Sequence, residues 1–221
     1  MTQIEATYIG HMGSDISVVN AARVSFGKKS DWEFSALREG LLERDANLIK
    51  YLAKHKHISP FGHAFASFHV KAPIFVARQL VKHKFLRWNE ISRRYVDDEP
   101  EFYVPEVWRG RSADKKQGSE GEVKLRTLDA AIISDSPYDA LSAYKAALNS
   151  GVAPEQARMV LPSSLMTSWT WSGTFGAFAS MCKLRLASDS QYETRLVAQE
   201  IYKALEQQFP VSAPLIVKGV L

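Results

Sequence analysis

The sequence predicts an α+β fold. Three observations lead there. Most patterned segments have helical periodicity, the few with a period of two lie in separated groups, and no linker or repeat divides the chain. The 221 residues suit a single domain spanning 1–221, long enough to bury a sizeable core.

The first helix is expected over Asp15 to Phe26, where Ile16, Val19, Ala22 and Phe26 recur near helical spacing. Ser14 or Asp15 can cap it. A second helix is expected from Asp45 to His55, with Leu48, Tyr51 and Leu52 as its apolar face, ended by Ser59-Pro60-Phe61-Gly62. Phe65 to Ala72 alternates: Ala66, Phe68, Val70 and Ala72 share one face, Ser67, His69 and Lys71 the other. That is a strand. Pro73 suits the first turn of a following helix, Ile74 to Lys84. Glu101 to Val107 reads as extended, and the polar stretch Gly110 to Val123 as an exposed loop. Helices are expected at Pro137 to Ser150 and Pro154 to Leu161, each with proline near its start, and Gly151 sits where a C-cap belongs. Thr174 to Leu186 and Ser188 to Phe209 complete the set. The last buries Leu196, Val197, Ile201, Leu205 and Phe209.

Composition removes several classes. Hydrophobic residues at 46% and charged residues at 24% exclude disorder of the whole chain. A single cysteine, Cys182, excludes an intrachain disulfide and a cysteine-based zinc site. No basic stretch followed by an apolar core opens the sequence. No run approaches the ~18 apolar residues of a membrane span. The expected compartment is the cytoplasm, with no membrane partner. The net charge of +4 is modest, so what matters is where the cations cluster.

They cluster in Lys82 to Tyr95, KHKFLRWNEISRRY, with Phe85, Trp88 and Tyr95 interleaved and Glu90 the one acid. Three readings compete: a nucleic-acid surface with bases stacked on the aromatics, a pocket for a nucleotide, and a helix end with solvated cations. Details favour the pocket. Glu90 would repel a polyanion but can accept a hydrogen bond from a base, a ribose or a water. Ser92 and Arg94, two apart, would point the same way in an extended segment and clamp a phosphate. Arg185 is a second unusual residue, on an apolar helical stripe with Phe175, Phe178 and Cys182. Its guanidinium needs a partner, either a structural carboxylate or a buried ligand oxygen, and Arg158 poses the same question. His55, His57, His63 and His69 invite a metal reading, but no carboxylate accompanies them, and no metal is expected. His69 is expected to be half-buried in its strand.

The basic segment resembles the signature of the flavin-dependent thymidylate synthases (ThyX): Arg-His-Arg, two variable residues, Ser, one variable, Asn-Glu, one variable, Ser, one variable, Arg. His83, Asn89, Glu90, Ser92 and Arg94 match it. NAARVSF, KHKHISPFGHAFASFHVKAPIFVARQ and GVAPEQARMVLP also resemble family segments in family order, so about two thirds of the chain is covered. The resemblance implies a central, mostly antiparallel sheet flanked by helices. It implies reductive methylation of dUMP to dTMP, with methylenetetrahydrofolate as carbon donor and FAD, reduced by NADPH, as electron source. It implies a homotetramer whose sites combine several subunits, without a cysteine nucleophile, so Cys182 is expected to be a small core residue. Nucleic acid is not expected as a partner.

By the same resemblance, Arg78, Gln79, Ser92, Arg94 and Arg158 would hold the nucleotide. Arg185 would face the uracil and stabilise its developing negative charge, a large term in a dry site. Glu90 would lie between base and flavin. Ser25, His57, Ser59, Lys82, His83, Lys84, Phe85, Thr174 and Ser180 would line the flavin side.

Departures from the family pattern fall on that flavin side. Lys82 and Lys84 replace arginines, which keeps charge and loses the bidentate fork. Arg87 replaces a serine. Thr174, Gly176 and Ser180 stand where the family often has Asn, Arg and Asn, and Asp189 where histidine is common. Two explanations are open: FAD held by other contacts, or a changed second half-reaction, such as a dUMP hydroxymethylase or an enzyme with altered flavin use.

Overall fold

The computed structural model describes residues 3–35, 38–96, 98–113 and 118–221. The chain opens with strand β1 (Glu5–Met12), absent from the expectations above because Gly10 interrupts a weak alternation. Helix α1 (Asp15–Arg23) follows and runs into a 3-10 turn at Val24–Phe26, so the expected helix is present with a tightened end. Ser14 is the N-cap, and Asp15, the first helical residue, bonds to a distant segment instead. Its buried carboxylate accepts from the Val211 and Ser212 backbone N–H groups at 2.8 and 3.0 Å and from the Ser212 hydroxyl. Burial pushes its carboxyl upward against those three bonds.

A small hairpin, β2 (Glu33–Ser35) with β3 (Arg38–Gly40), precedes α2 (Glu43–Lys54). The buried Asp45 of α2 receives Arg23 in an ion pair that joins the ends of α1 and α2. A 3-10 turn at Ser59–His63 leads into β4 (Phe65–Pro73), whose alternation is as the sequence predicts. His69, however, lies on the exposed face of β4 rather than half-buried. Helix α3 (Ile74–Leu80) stops four residues short of Lys84. The chain then turns at Phe85, in the left-handed region with φ 66°, to form β5 (Leu86–Glu90). A non-glycine residue there costs of order 1 kcal/mol; β5 offsets it by pairing with the sheet.

The polar stretch expected as a loop contains a hairpin, β6 (Arg109–Arg111) with β7 (Ser119–Glu122). Arg109 fastens it to the body. It donates to the Glu193 carboxylate at 2.9 Å and lies 3.6 Å from the centroid of the Tyr192 ring. Helix α4 (Thr127–Asn149) begins ten residues before the expected start, and Pro137 lies inside it. Proline removes one helical donor and orphans the carbonyl four residues back. That carbonyl, on Ile133, accepts from the Ser136 hydroxyl at 3.0 Å. Short α5 (Pro154–Ala157) and a 3-10 turn at Arg158–Val160, in place of the helix expected to Leu161, lead to β8 (Met166–Thr174), a strand absent from the expectations above. Helices α6 (Phe175–Arg185), α7 (Tyr192–Gln208) and α8 (Pro214–Val217) close the chain.

The central sheet is antiparallel in the order β1-β4-β8-β5. Phe68, Val70, Trp169 and Trp171 on one face pack with Phe175, Phe178, Val197, Ile201, Leu205 and Phe209 of α6, α7 and the segment after it. Each such buried side chain contributes about 1.5–3 kcal/mol. Ser67, His69, Thr170 and Ser172 fall on the opposite, more polar face, where Ser67 and Ser172 hydroxyls meet at 2.8 Å. Cys182 is in the core, its thiol pushed up by burial and directed to the Ala198 carbonyl. That is the role expected of it.

Candidate active site

A cleft of about 860 Å³ opens beside α3, the end of α6 and the β6–β7 hairpin. Gln79, Lys82, Tyr103, Arg185, Asp189 and Gln191 are among its walls. Helical spacing carries Arg185 to the last turn of α6, where the Phe175, Phe178 and Cys182 stripe meets the cleft. Among the described residues it pairs with no carboxylate. Its Nε donates to His83 Nε2 at 3.0 Å, and a terminal nitrogen reaches the Gln79 carbonyl at 3.5 Å.

Among the described residues a neutral acceptor aims the guanidinium, and no ion pair neutralises its charge. His83 must present an unprotonated Nε2 to accept. Burial, then the neighbouring charge of Arg185, lowers its pKa to about 4, which keeps the ring neutral near pH 7. Burial also lowers the pKa of Arg185, yet an arginine stays protonated.

Gln79 is held from α7. Its amide nitrogen donates to Gln191 and its oxygen accepts from Thr194 at 3.1 Å. The Tyr103 hydroxyl is pushed up to about 12 by burial and by Glu193, so it remains a protonated donor at the cleft. Tyr103, Gln191 and Thr194 were not among the residues read from the sequence. No spacing signals them, because Tyr103 and Gln191 reach the cleft, and buried Thr194 reaches Gln79, only through tertiary packing.

A second, smaller cavity of about 130 Å³ holds Glu90, Arg93, Arg158 and Thr167. Residues 161–165 separate it from the large cleft, since neighbours along this segment line one or the other. Arg158 is exposed there, its Nε at 3.3 Å from the Glu155 carbonyl. Ser92 and Arg94 are not extended. They lie in a turn closed by the Tyr95 N–H on the Ser92 carbonyl at 3.0 Å. The Ser92 hydroxyl accepts from the Arg94 N–H at 3.3 Å, and the Arg94 guanidinium donates to the Tyr95 hydroxyl at 2.7 Å. Arg78 is exposed on α3. Within one chain, then, Arg185 and Gln79 face the large cleft, Arg158 and Glu90 the small one, and Arg94 an outlying turn.

Lys82 and His83 belong to the cleft; the other predicted residues lie toward the opposite end of the sheet. Ser25 and Phe26 leave α1, and the 3-10 turn bearing Ser59 packs on α1 and the start of α6. Phe85 adjoins Gly173, next to Thr174. Lys82, Lys84, His57, Ser25 and Ser59 are exposed. So are Phe26 and Phe85, at 76% and 85%. Thr174 spends one lone pair capping α6 at the Ala177 N–H, and the Ser180 hydroxyl donates to the Gly176 carbonyl. Thr174 keeps its proton for a ligand, whereas Ser180 keeps only acceptor capacity. The histidine group holds no metal-binding cluster among the described residues.

Comparison with known proteins places this geometry. The family model described as thymidylate synthase complementing protein (Thy1) matches residues 7–211. The chain belongs to this family. Thy1-family relatives include the flavin-dependent thymidylate synthase of Thermus thermophilus, 41% identical over 92% of this chain and 72% of that protein. The enzyme of the same name from Thermosipho melanesiensis is 38% identical over 90% of this chain and 84% of that protein. Among solved structures, the UMP/dUMP methylase PolB from Streptomyces cacaoi, crystallised with 5-Br dUMP, superposes with a TM-score of 0.84 at 28% identity. The match covers 98% of this chain and 96% of that one. The antiparallel sheet flanked by helices is thus the Thy1-family fold.

Proposed function

We propose that the protein methylates dUMP at carbon 5 to give dTMP, with methylenetetrahydrofolate as carbon donor and NADPH as the source of electrons. The observation that carries this reading is Arg185: a half-buried guanidinium on a cleft wall, aimed by a neutral histidine and balanced by no carboxylate among the described residues. Such a cation suits an electron-rich ring that gains negative charge as it reacts. The family and its named relatives point to the same chemistry.

On this reading Gln79 and Arg78 approach the nucleotide from α3, and Ser92, Arg94 and Arg158 contribute the phosphate clamp. In one chain these residues lie on different surfaces, so the reading includes a homotetramer in which a neighbouring copy completes each site. Glu90 supplies acceptors beside the base. The residues at the sheet end, with Lys82 from the adjoining cleft wall, fit a flavin: Lys82 and Lys84 suit its phosphates, Phe26 and Phe85 its rings, and Ser25, His57, Ser59 and Thr174 its polar edges. FAD, when bound there, supplies the reducing chemistry that turns the transferred carbon into a methyl group. Cys182 takes no part, because it is buried with its proton held. Among the described residues no helix is long and apolar enough to cross a membrane.

The test is a tritium-release assay on dUMP labelled at carbon 5, with the visible spectrum recorded and the product weighed by mass spectrometry. The expected result is a yellow protein, tritium in water, and a methylated product. A hydroxymethyl product would move the assignment to the dUMP hydroxymethylase reading, and a colourless protein that FAD does not reconstitute would remove the flavin. Oligonucleotide binding without selectivity for dUMP would instead favour a nucleic-acid surface. That reading is weakened because segment 82–95 folds as a turn, an edge strand and a second turn, not as a continuous basic stripe.

A further inference from the structure

We infer that Thr167 and Trp88 are positioning residues that fix the Glu90 carboxylate from both of its oxygens. The inference rests on the reading of Glu90 as a nucleotide-site acceptor and adds what makes that acceptor rigid.

The sheet register produces the arrangement. Strands β5 and β8 pair with Glu90 opposite Trp169 and Trp88 opposite Trp171. Directly opposed residues of an antiparallel pair share a face, and so do residues two apart. Trp88, Glu90, Thr167, Trp169 and Trp171 therefore all lie on the core side. Glu90 is the last of this row on β5, where the apolar stripe reaches the small cavity. The Glu90 carboxylate is exposed at the cavity, so protein donors serve to orient it rather than to offset burial.

It has two. The Thr167 hydroxyl, on a residue 7% exposed, donates to Glu90 Oε1 at 2.7 Å. The Trp88 indole N–H donates to Oε2 at 3.1 Å. Trp88 cannot swing away, because its ring stacks on buried Trp169 at 4.2 Å and 17° and meets Trp171 edge-on at 5.7 Å. Tryptophan has two side-chain torsions, and the stack holds both. A carboxylate has about four lone-pair sites. One on each oxygen is engaged, so Glu90 presents the others in one fixed direction, toward the cavity it shares with Arg158. An acceptor held in place needs no reorganisation when a ligand N–H or O–H arrives.

A double-mutant cycle tests this. Thr167→Val keeps the shape and removes one donor; Trp88→Phe keeps a stacked ring and removes the other. Each is expected to lower kcat/KM for dUMP by about 10- to 100-fold, the scale on which groups supporting a functional side chain act, with thermal midpoint and flavin absorbance unchanged. Thr167→Ser, which restores a hydroxyl, is expected to recover most of the loss. Glu90→Gln reports on the underlying reading, and Glu90→Gln combined with Thr167→Val should be no worse than Glu90→Gln alone, because the threonine acts through the carboxylate. Losses that multiply in the double variant, or Thr167→Val within twofold of the unmodified protein while Glu90→Gln is impaired, would overturn the positioning role alone. A fully active Glu90→Gln would overturn the role of Glu90 and this inference with it.

Discussion

The contact between Arg185 and His83 couples charge, protonation and stability in one pair of side chains. Arg185→Ala is expected to reduce turnover far more than dUMP binding, because the guanidinium is proposed to meet charge that develops during reaction. Steady-state rates beside a dUMP isotherm separate the two, and equal losses in both would contradict the assignment. Arg94→Ala should instead weaken binding by about 2–5 kcal/mol, the usual cost of removing one desolvated charged partner; an unchanged dissociation constant would exclude Arg94 from the phosphate clamp. His83 carries a pH signature. Its pKa falls from 6.5 to about 4 in the folded chain, so between those values the unfolded chain binds more protons than the folded one. The stabilisation is complete above pH 6.5 and fades as pH drops toward 4. Denaturant midpoints measured across that window should slope less steeply in His83→Gln than in the unmodified protein.

At the scale of elements, the join between β5 and β8 decides whether Glu90, Trp88 and Phe85 are where the site needs them. Gly173 permits that join. A Cβ there would lie 2.5 Å from Leu86 Cδ2 and 2.8 Å from the Phe85 carbonyl oxygen, and the second of these is backbone that cannot step aside. Gly173→Ala is expected to cost about 1–3 kcal/mol, as overpacking does, and to loosen β5 selectively. Faster amide exchange over Leu86–Glu90 than over β4 would show it; uniform protection would refute it. The same join marks the limit of what sequence pattern reveals. The α7 periodicity was legible because one face, with Val197, Ile201 and Leu205, is buried in the core. The β4 alternation was legible for the same reason. In α1 and α2 the helix was legible but not its whole buried face: Val18 and Ile49 are buried while Phe26 and Tyr51 are exposed, and α6 is buried nearly all round. β8 escaped notice although Trp169 and Trp171 sit two apart, since Met166 and the serines blur its pattern. β5 was hidden by the cations that flank it, Lys82 and Lys84 before and Arg93 and Arg94 after, whose density suggests a helix end or a loop rather than an edge strand. The start of α4 was misplaced because Pro137 mimics an N-terminus, while the Ser136 hydroxyl repairs the helix around it.

At the scale of the whole molecule, the residues read as nucleotide contacts fall on separate surfaces that one chain does not bring together. Arg185 and Gln79 face the large cleft, while Arg158 and Glu90 face the small cavity across residues 161–165. The helical positions of Arg158 and Arg185 could be read from sequence. Their separation could not, because it depends on how β8 threads between α5 and α6. If a nucleotide site takes Arg185 from one copy and Arg158 from another, two inactive variants must complement each other. Arg158→Ala and Arg185→Ala, each with low activity alone, would be co-expressed in equal amounts so that subunits assort at random. A site drawing one arginine from each of two chains is then intact in about a quarter of cases, as follows from symmetric assembly of independent copies. Dual affinity tags would isolate the mixed oligomers, and light scattering should place them at four chains of 24.8 kDa. Recovery of turnover in the mixed oligomers supports a site shared between subunits. If they are no more active than the separate variants, both arginines must serve the same chain, and Arg158 would have to move across the 161–165 wall to join Arg185.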